Sequence, residues 1–400
     1  RDGAGSVSAA LYLDMKDGEW KAIRCGAAVL ATGGYEELWA FNDAASTACG
    51  DGIFLAYEAG ARLVDMEMLQ YYPTVVIDPP SIQGTLFQYE LITSPEVLGG
   101  RLVNGNHQPF FEGALLRDAV IRAMWKEIRE GRGSPHGGAF IDLVHSTKTR
   151  EELTAALEKW QPNQFRYLKE MGCDLRDVLV EVSPHAHFTM GGVAIDDTAA
   201  TTVPGLFAAG EVAGNLHGAN RVSGNALAET QVFGAIAGAS AARFAREKGS
   251  AGAVDIAAEM ERGATSAPGL GRDTGPVHPL QTRRDVRKIV WEKCGVERDA
   301  EGLKKGISEL SELSKTLPGI SLAGYSSGRG RSYPQEVQDC VELEMMIAVA
   351  DLVLRSALFR PESRGHHVRT DYPETNREAA HTFICKGKEP WAGPVRRIHR

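Results

Sequence analysis

Apolar positions in the first 35 residues come in runs rather than at helical spacing. Val7 to Leu13 is apolar and extended, Lys16-Asp17-Gly18-Glu19 has turn chemistry, and Trp20 to Thr32 returns, which predicts a β-hairpin feeding a buried strand. The run Ala27 to Thr32 stops at Gly33-Gly34, a strand ending where backbone must approach something closely. Asp51 to Gly60 predicts a helix, with Ile53, Phe54, Ala56 and Tyr57 three and four residues apart. Beyond Tyr72-Pro73 the pattern predicts Pro- and Gly-rich loops through Pro109. An amphipathic helix follows at Leu115 to Gly131, and at least one more lies within Arg150 to Leu168.

From His185 to Gly192 the texture changes back. Val203 to Gly210 is another short buried strand ending in glycine, and Asn225 to Glu247 is an Ala/Gly-rich helix suited to close packing. A linker-like stretch, Gly263 to Pro279, leads into a helical region running to about Arg360. Its periodicity shows at Val286, Ile289 and Val290 and again at Leu343, Met346 and Ile347. The fold class is therefore α/β, with two segments of nucleotide-domain character at 1–71 and 188–262. They flank an inserted α+β domain at 72–187, and a helical C-terminal domain follows at 263–400.

Composition narrows the functional classes. Four hundred residues make two or three domains of about 100–200 residues each, and 43% apolar with 24% charged residues excludes disorder. Lys+Arg number 44 against 52 Asp+Glu, a net charge of −8, which gives no global attraction for nucleic acid or an anionic membrane. No apolar run is long enough to span a bilayer; the longest candidate, Met345 to Leu354, is short and contains Asp351. The six cysteines, at 25, 49, 173, 294, 340 and 385, include no C-x-x-C, so any iron–sulfur cluster must sit on another polypeptide. Such scattered cysteines fit a reducing, cytoplasmic compartment. The chain opens on Arg1-Asp2-Gly3 without methionine, from which upstream residues are expected to have been cut away.

Three glycine-punctuated segments carry candidate chemistry. They are Ala31-Thr32-Gly33-Gly34 with Cys49-Gly50-Asp51-Gly52, then Gly205 to Glu211, then His217 to Leu227. Strand ends finishing in glycine let backbone N–H groups reach a phosphate or a ring edge, and a carboxylate just beyond can hold a sugar hydroxyl. One such segment alone could equally be a tight turn.

Together the segments resemble the flavoprotein subunit family of succinate dehydrogenase, fumarate reductase and L-aspartate oxidase. The resemblance runs in order through ATGGY, GDG, DMEMLQYYPT, LLRDAVIRAM, AHFTMGG, PGLFAAGEVAG, HGANRVSGNAL and SALFRPESRG, nearly the whole chain. It implies FAD held by the nucleotide domain, a capping domain over it, and a small carboxylate substrate oxidised or reduced. Thr32, Gly33, Gly34, Asp51 and Glu211 match FAD contacts, Glu211 to a ribose hydroxyl. Ser223, Asn225, Ala226 and Leu227 match the segment that opens a helix beneath the flavin, where a helix dipole suits negative charge. An ordinary N-cap is the other reading of Asn225, and the two roles are compatible.

The same resemblance implies that Arg117 delivers the proton and that His187 and Arg221 clamp a substrate carboxylate, chemistry the arginine fork suits. Tyr72 and Thr74 stand in the substrate-binding His-Pro-Thr of the family, with a phenol in place of the imidazole. The relay residues of the family fall near Ile92 to Gly100, where this chain offers Thr93 and Glu96. The dinucleotide fingerprint and the flavin-linking histidine of the family would precede Arg1. Electrons would pass through an iron–sulfur partner subunit, placing the chain peripherally on the cytoplasmic membrane without a transmembrane segment of its own. The alternatives are an L-aspartate oxidase-like flavoenzyme and a non-catalytic remnant without FAD. His366-His367 reads as a solvated pair rather than a metal site. The basic ladder Arg283, Arg284, Arg287 and Lys288 reads as a solvated helix face or a partner-docking face.

Overall fold

The structure, a computed structural model, describes residues 1–395 except 15, 17–18, 112–115, 250–254, 259, 261–276 and 321–334. The predicted turn at 17–18, most of the linker at 263–279 and the start of the predicted helix at 115 thus lie outside the described residues. The chain divides into two units, one of residues 1–40, 45–69 and 188–400, the other of 41–44 and 70–187.

In the first unit the predicted hairpin forms: β1 (Ala9–Asp14) pairs antiparallel with β2 (Glu19–Arg24), Ala9 opposite Arg24. The strand before Gly33 is β3 (Ala28–Leu30), followed by helix α1 (Asp51–Glu58) and the short β4 (Leu63–Val64).

The second unit is built on a sheet in the order β5-β8-β7-β6, made by β5 (Leu69–Asp78), β6 (Arg101–Val103), β7 (Ala139–Asp142) and β8 (Val180–Thr189). The loops expected from Tyr72-Pro73 through Pro109 begin instead as strand, to Asp78, because Val75, Val76 and Ile77 follow the proline and are buried. Two short helices carry side chains that matter below, α2 (Tyr89–Ile92) and α3 (Arg117–Glu127). The helical pattern at 150–168 is two helices, α4 (Arg150–Trp160), opened by a Thr149/Glu152 capping box, and α5 (Pro162–Glu170). Their apolar residues Leu153, Leu157, Phe165 and Leu168 join Val120, Met124, Ile141 and Val182 in one core.

The first unit resumes with β9 (Gly192–Val193) and β10 (Leu206–Ala208). β10 pairs parallel with β3, Leu206 opposite Ala28, so the glycines after both strands fall at one carboxyl edge. Helix α6 (Asn225–Lys248) lies close beside this pair: a Cβ on Gly26 would press on Ala245, and Phe207 meets Phe244 edge-on at 6.2 Å. The tail contributes α7 (Pro279–Lys293), β11 (Glu297–Arg298), α8 (Ala300–Ser314), α9 (Gln335–Phe359), β12 (Val368–Arg369), β13 (Ala380–Ile384) and β14 (Trp391–Pro394). The tail is not only helical, since β13 and β14 extend a sheet ordered β14-β13-β4-β9. Among the described residues no helix is long and apolar enough to cross a membrane.

Two sequence readings are corrected in the tail. Arg283 is buried and ion-paired to Glu342 (2.6 Å), Asp339 (3.2 Å) and Glu37 (3.5 Å), and Arg287 reaches Glu37 at 3.3 Å. Half of the basic ladder is therefore internal, leaving Arg284 and Lys288 exposed. His366 and His367 are buried, not solvated, and Arg298 Nη1 lies 3.3 Å from His367 Nδ1. Burial first, then the neighbouring Arg298, holds His367 neutral.

Candidate active site

Strand β5 presents alternate residues to one face, and Gln70 and Tyr72 share that face. Arg117, first residue of α3, is buried against both: Nη1 donates to Gln70 Oε1 at 2.8 Å and the guanidinium lies 4.6 Å from the Tyr72 ring centre. Glu90, from α2, completes the group. Its Oε1 is 3.3 Å from Arg117 Nη2, and its Oε2 accepts the Tyr72 hydroxyl at 3.1 Å. Burial, then the charge of Glu90, pushes the Tyr72 phenol well above its ordinary range and that of Tyr89 up to about 12. Both phenols are donors at any working pH.

His187, near the end of β8, lies 4.9 Å ring to ring from Tyr72, and its Nδ1 meets Asp43 Oδ2 at 2.8 Å. That contact fixes the ring and leaves Nε2 for other work. Gln70, Tyr72, Glu90, Arg117, His187 and Asp43 thus form one cluster within the second unit.

Two predicted substrate residues fall outside this cluster. Thr74 is fully buried, and its hydroxyl donates to the Phe87 carbonyl, which ties down β5 and spends its one donor there rather than on a carboxylate. Glu96 sits in an exposed bend where its carboxylate accepts Ser94 Oγ at 3.1 Å. The carboxylate beside Arg117 is Glu90, which lies upstream of the stretch where the family pattern placed the relay. Sequence reasoning also passed over Gln70 and Asp43. The two-residue alternation from Tyr72 would have pointed to Gln70; nothing local pointed to Asp43.

In the first unit, Arg221 is buried with its guanidinium 4.2 Å from the Phe188 ring centre, and its backbone N–H donates to Met190 Sδ at 3.2 Å. Phe188 and Met190 belong to a small apolar cluster with Met68, against which Ala219 and Ala226 pack. The segment is held from the tail: Gly365 lies so close to Ala219 that a Cβ would strike its carbonyl oxygen, and the His366 N–H donates to the same oxygen at 3.2 Å.

The glycine-ended strands build a second cluster in this unit. Gly33 after β3 and Gly210 after β10 have φ of +80° and +76°, and Gly224, the N-cap of α6, has +81°. Asn225 is the first helical residue rather than the cap. Thr32 packs on Gly52, where a Cβ would meet its hydroxyl, and this fixes α1 and Asp51 at the end of β3. The Thr189 N–H donates to both Glu36 Oε1 (2.8 Å) and Glu211 Oε1 (2.7 Å). Burial, then repulsion from Glu36, pushes the Glu211 carboxyl up to about 10, so the pair holds a proton at neutral pH.

These residues fit a large planar cofactor. No side chain caps α6, whose first turn exposes Leu227 at 77%, with Val222 just before it at 73%. Nearby, His217 Nε2 and Glu229 Oε2 are buried atoms with no hydrogen-bond partner. Burial, then Arg221, lowers His217 to about 4, so it is neutral. Exposed apolar surface, an uncapped helix terminus and glycine backbone at one carboxyl edge together make a cradle for an aromatic ring that gathers negative charge.

Comparison with known proteins agrees. Residues 1–227 match the FAD binding domain family and residues 283–391 the fumarate reductase flavoprotein C-terminal family. An uncharacterized FAD-dependent oxidoreductase of Methanocaldococcus jannaschii is 36% identical over 389 residues, 96% of this chain and 67% of the relative. One subunit of the fumarate reductase (CoM/CoB) of Methanothermobacter marburgensis is also 36% identical, over 393 residues, 96% of this chain and 68% of that one. The solved structure of Mycobacterium smegmatis Sdh1 superposes with a TM-score of 0.84 at 29% identity, covering all of this chain and 66% of the other. The chain spans about two thirds of the length of these proteins.

Proposed function

Because the chain belongs to the family of FAD-dependent fumarate reductase and succinate dehydrogenase flavoprotein subunits, we propose that it interconverts an alkene carboxylate and its saturated counterpart, as fumarate and succinate. The observation that carries the proposal is the buried Arg117 held among Gln70, Tyr72 and Glu90. A surface arginine has no need of three such partners.

FAD, when bound, supplies hydride chemistry at its N5 position. Thr32, Gly33, Gly34, Asp51, Glu211, Ser223, Asn225, Ala226 and Leu227 are the residues proposed to hold it. Arg117 hands a proton to the substrate carbon and is reprotonated at once through Glu90, whose partly exposed carboxylate takes that proton from solvent, as an arginine acid requires because its ordinary pKa is so high. Glu90, not Glu96, takes the relay role. Tyr72 holds Glu90 in place through its hydroxyl rather than acting as a second cation. Arg221 binds a carboxylate through its fork, and His187, oriented by Asp43, adds a donor. Electrons arrive through an iron–sulfur partner subunit, which would keep the chain at the cytoplasmic face of a membrane.

The test is fumarate reduction by the purified, FAD-supplemented protein with a reduced viologen dye, compared with L-aspartate oxidation under the same conditions. Fumarate turnover supports the proposal. Turnover of aspartate alone would replace it with the L-aspartate oxidase reaction, and absence of both would point to a non-catalytic chain.

A further inference from the structure

Three ligating side chains in the second unit converge away from the Arg117 cluster. Asp78 ends β5, His136 lies in the turn before β7, and Glu181 is the second residue of β8. One oxygen or ring nitrogen from each lies within 4.8 Å of the others. We propose that Asp78, His136 and Glu181 form a binding site for a divalent first-row metal cation such as zinc, which ties together three adjacent segments of the sheet.

The chemistry of the donors supports this. Glu181 is only 4% exposed, and both its oxygens are directed to His136: Oε1 accepts the backbone N–H at 2.8 Å, and Oε2 lies 2.7 Å from Nδ1. A carboxylate buried this deeply requires a compensating charge. A protonated His136 gives one positive charge against two carboxylates; a divalent cation beside a neutral imidazole balances both. One imidazole nitrogen and two carboxylate oxygens, with water completing the shell, suit Zn²⁺ or Mn²⁺ and have none of the thiolate character that selects soft ions.

The turn is pre-formed to hold the imidazole. Ser134 N–H donates to the Gly138 carbonyl and Gly138 N–H to Ser134 Oγ, both at 2.8 Å, closing 134–138 on itself. The His136 side chain is 59% exposed, which leaves the cation a way in. The competing explanation is a plain His136–Glu181 ion pair that pins the turn.

Titration of Co²⁺ into the chelator-treated full chain, followed by visible absorption and calorimetry, separates the two. The proposal expects one equivalent bound without a thiolate charge-transfer band, and a higher melting temperature with the metal. His136→Gln and Asp78→Asn should each weaken binding by at least about 10-fold, the scale of losing one ligand interaction. His145→Gln should not, since His145 is a comparably exposed imidazole paired only with Asp142. Melting without metal checks that each variant is folded. Absence of stoichiometric binding, equal affinity in His136→Gln, or a thiolate band would overturn the site and leave the ion pair.

Discussion

Arg117 and Glu90 are 27 residues apart in sequence and 3.3 Å apart in space, with the Tyr72 hydroxyl donating to the other oxygen of the same carboxylate. A buried guanidinium thus meets a half-exposed carboxylate, and a phenol that stays protonated fixes that carboxylate in place. The proposed reaction stands or falls on that pair.

Arg117→Lys should lower alkene reduction by about 10²–10⁴-fold, the usual weight of a positioned general acid, with flavin content unchanged. Lysine keeps the charge but loses the fork that spans Gln70 and Glu90. Steady-state rates with visible spectra of the purified variant decide it; a near-normal rate would remove Arg117 from the chemistry.

Glu90→Gln and Glu96→Gln distinguish the structural relay from the one expected in the sequence. Glu90→Gln should slow turnover at least about 10-fold while KM moves little, because the relay acts on proton transfer rather than binding. Glu96→Gln, whose carboxylate meets only Ser94 Oγ, should behave as wild type.

Glu211 predicts a pH dependence of stability. Its folded pKa is raised to about 10, so between its unfolded value near 4.5 and that point the native state holds a proton the unfolded chain has lost. The contribution is full below the unfolded value and declines as pH rises toward 10. Glu211→Gln, which stays neutral, should flatten the fall in denaturation midpoint between pH 6 and 9. An unchanged slope would mean the Glu36–Glu211 pair does not share a proton.

Gly365→Ala should destabilise the chain by about 1–3 kcal/mol. Gly365 has φ +57° and abuts the Ala219 carbonyl, so the added methyl meets both strain and a clash. Thermal denaturation measures the loss, and substrate affinity should fall too, since the displaced segment carries Arg221.

Arg283→Ala should cost about 3–5 kcal/mol by removing the cation that Glu342 and Asp339 share, while Glu37 keeps Arg287, whereas the exposed Arg284→Glu should change stability little. Equal effects in denaturant unfolding would contradict the buried network.

The amino-acid pattern by itself determined the α/β class, the hairpin at 9–24, the glycine-ended strands β3 and β10, and the long Ala/Gly helix α6. Apolar spacing records which face of an element is buried, and glycine records where backbone must turn tightly or approach closely, so both are local signals. The tertiary structure alone decided which charge meets which. Arg117 finds Gln70 and Glu90, Arg283 finds Glu342 across 59 residues, and His187 finds Asp43 across 144. A buried charge must have a partner, but nothing in its neighbours along the chain says which one. For the same reason Glu96 and Thr74 looked suited to the substrate in sequence, while folding placed one in an exposed bend and spent the other on the Phe87 carbonyl.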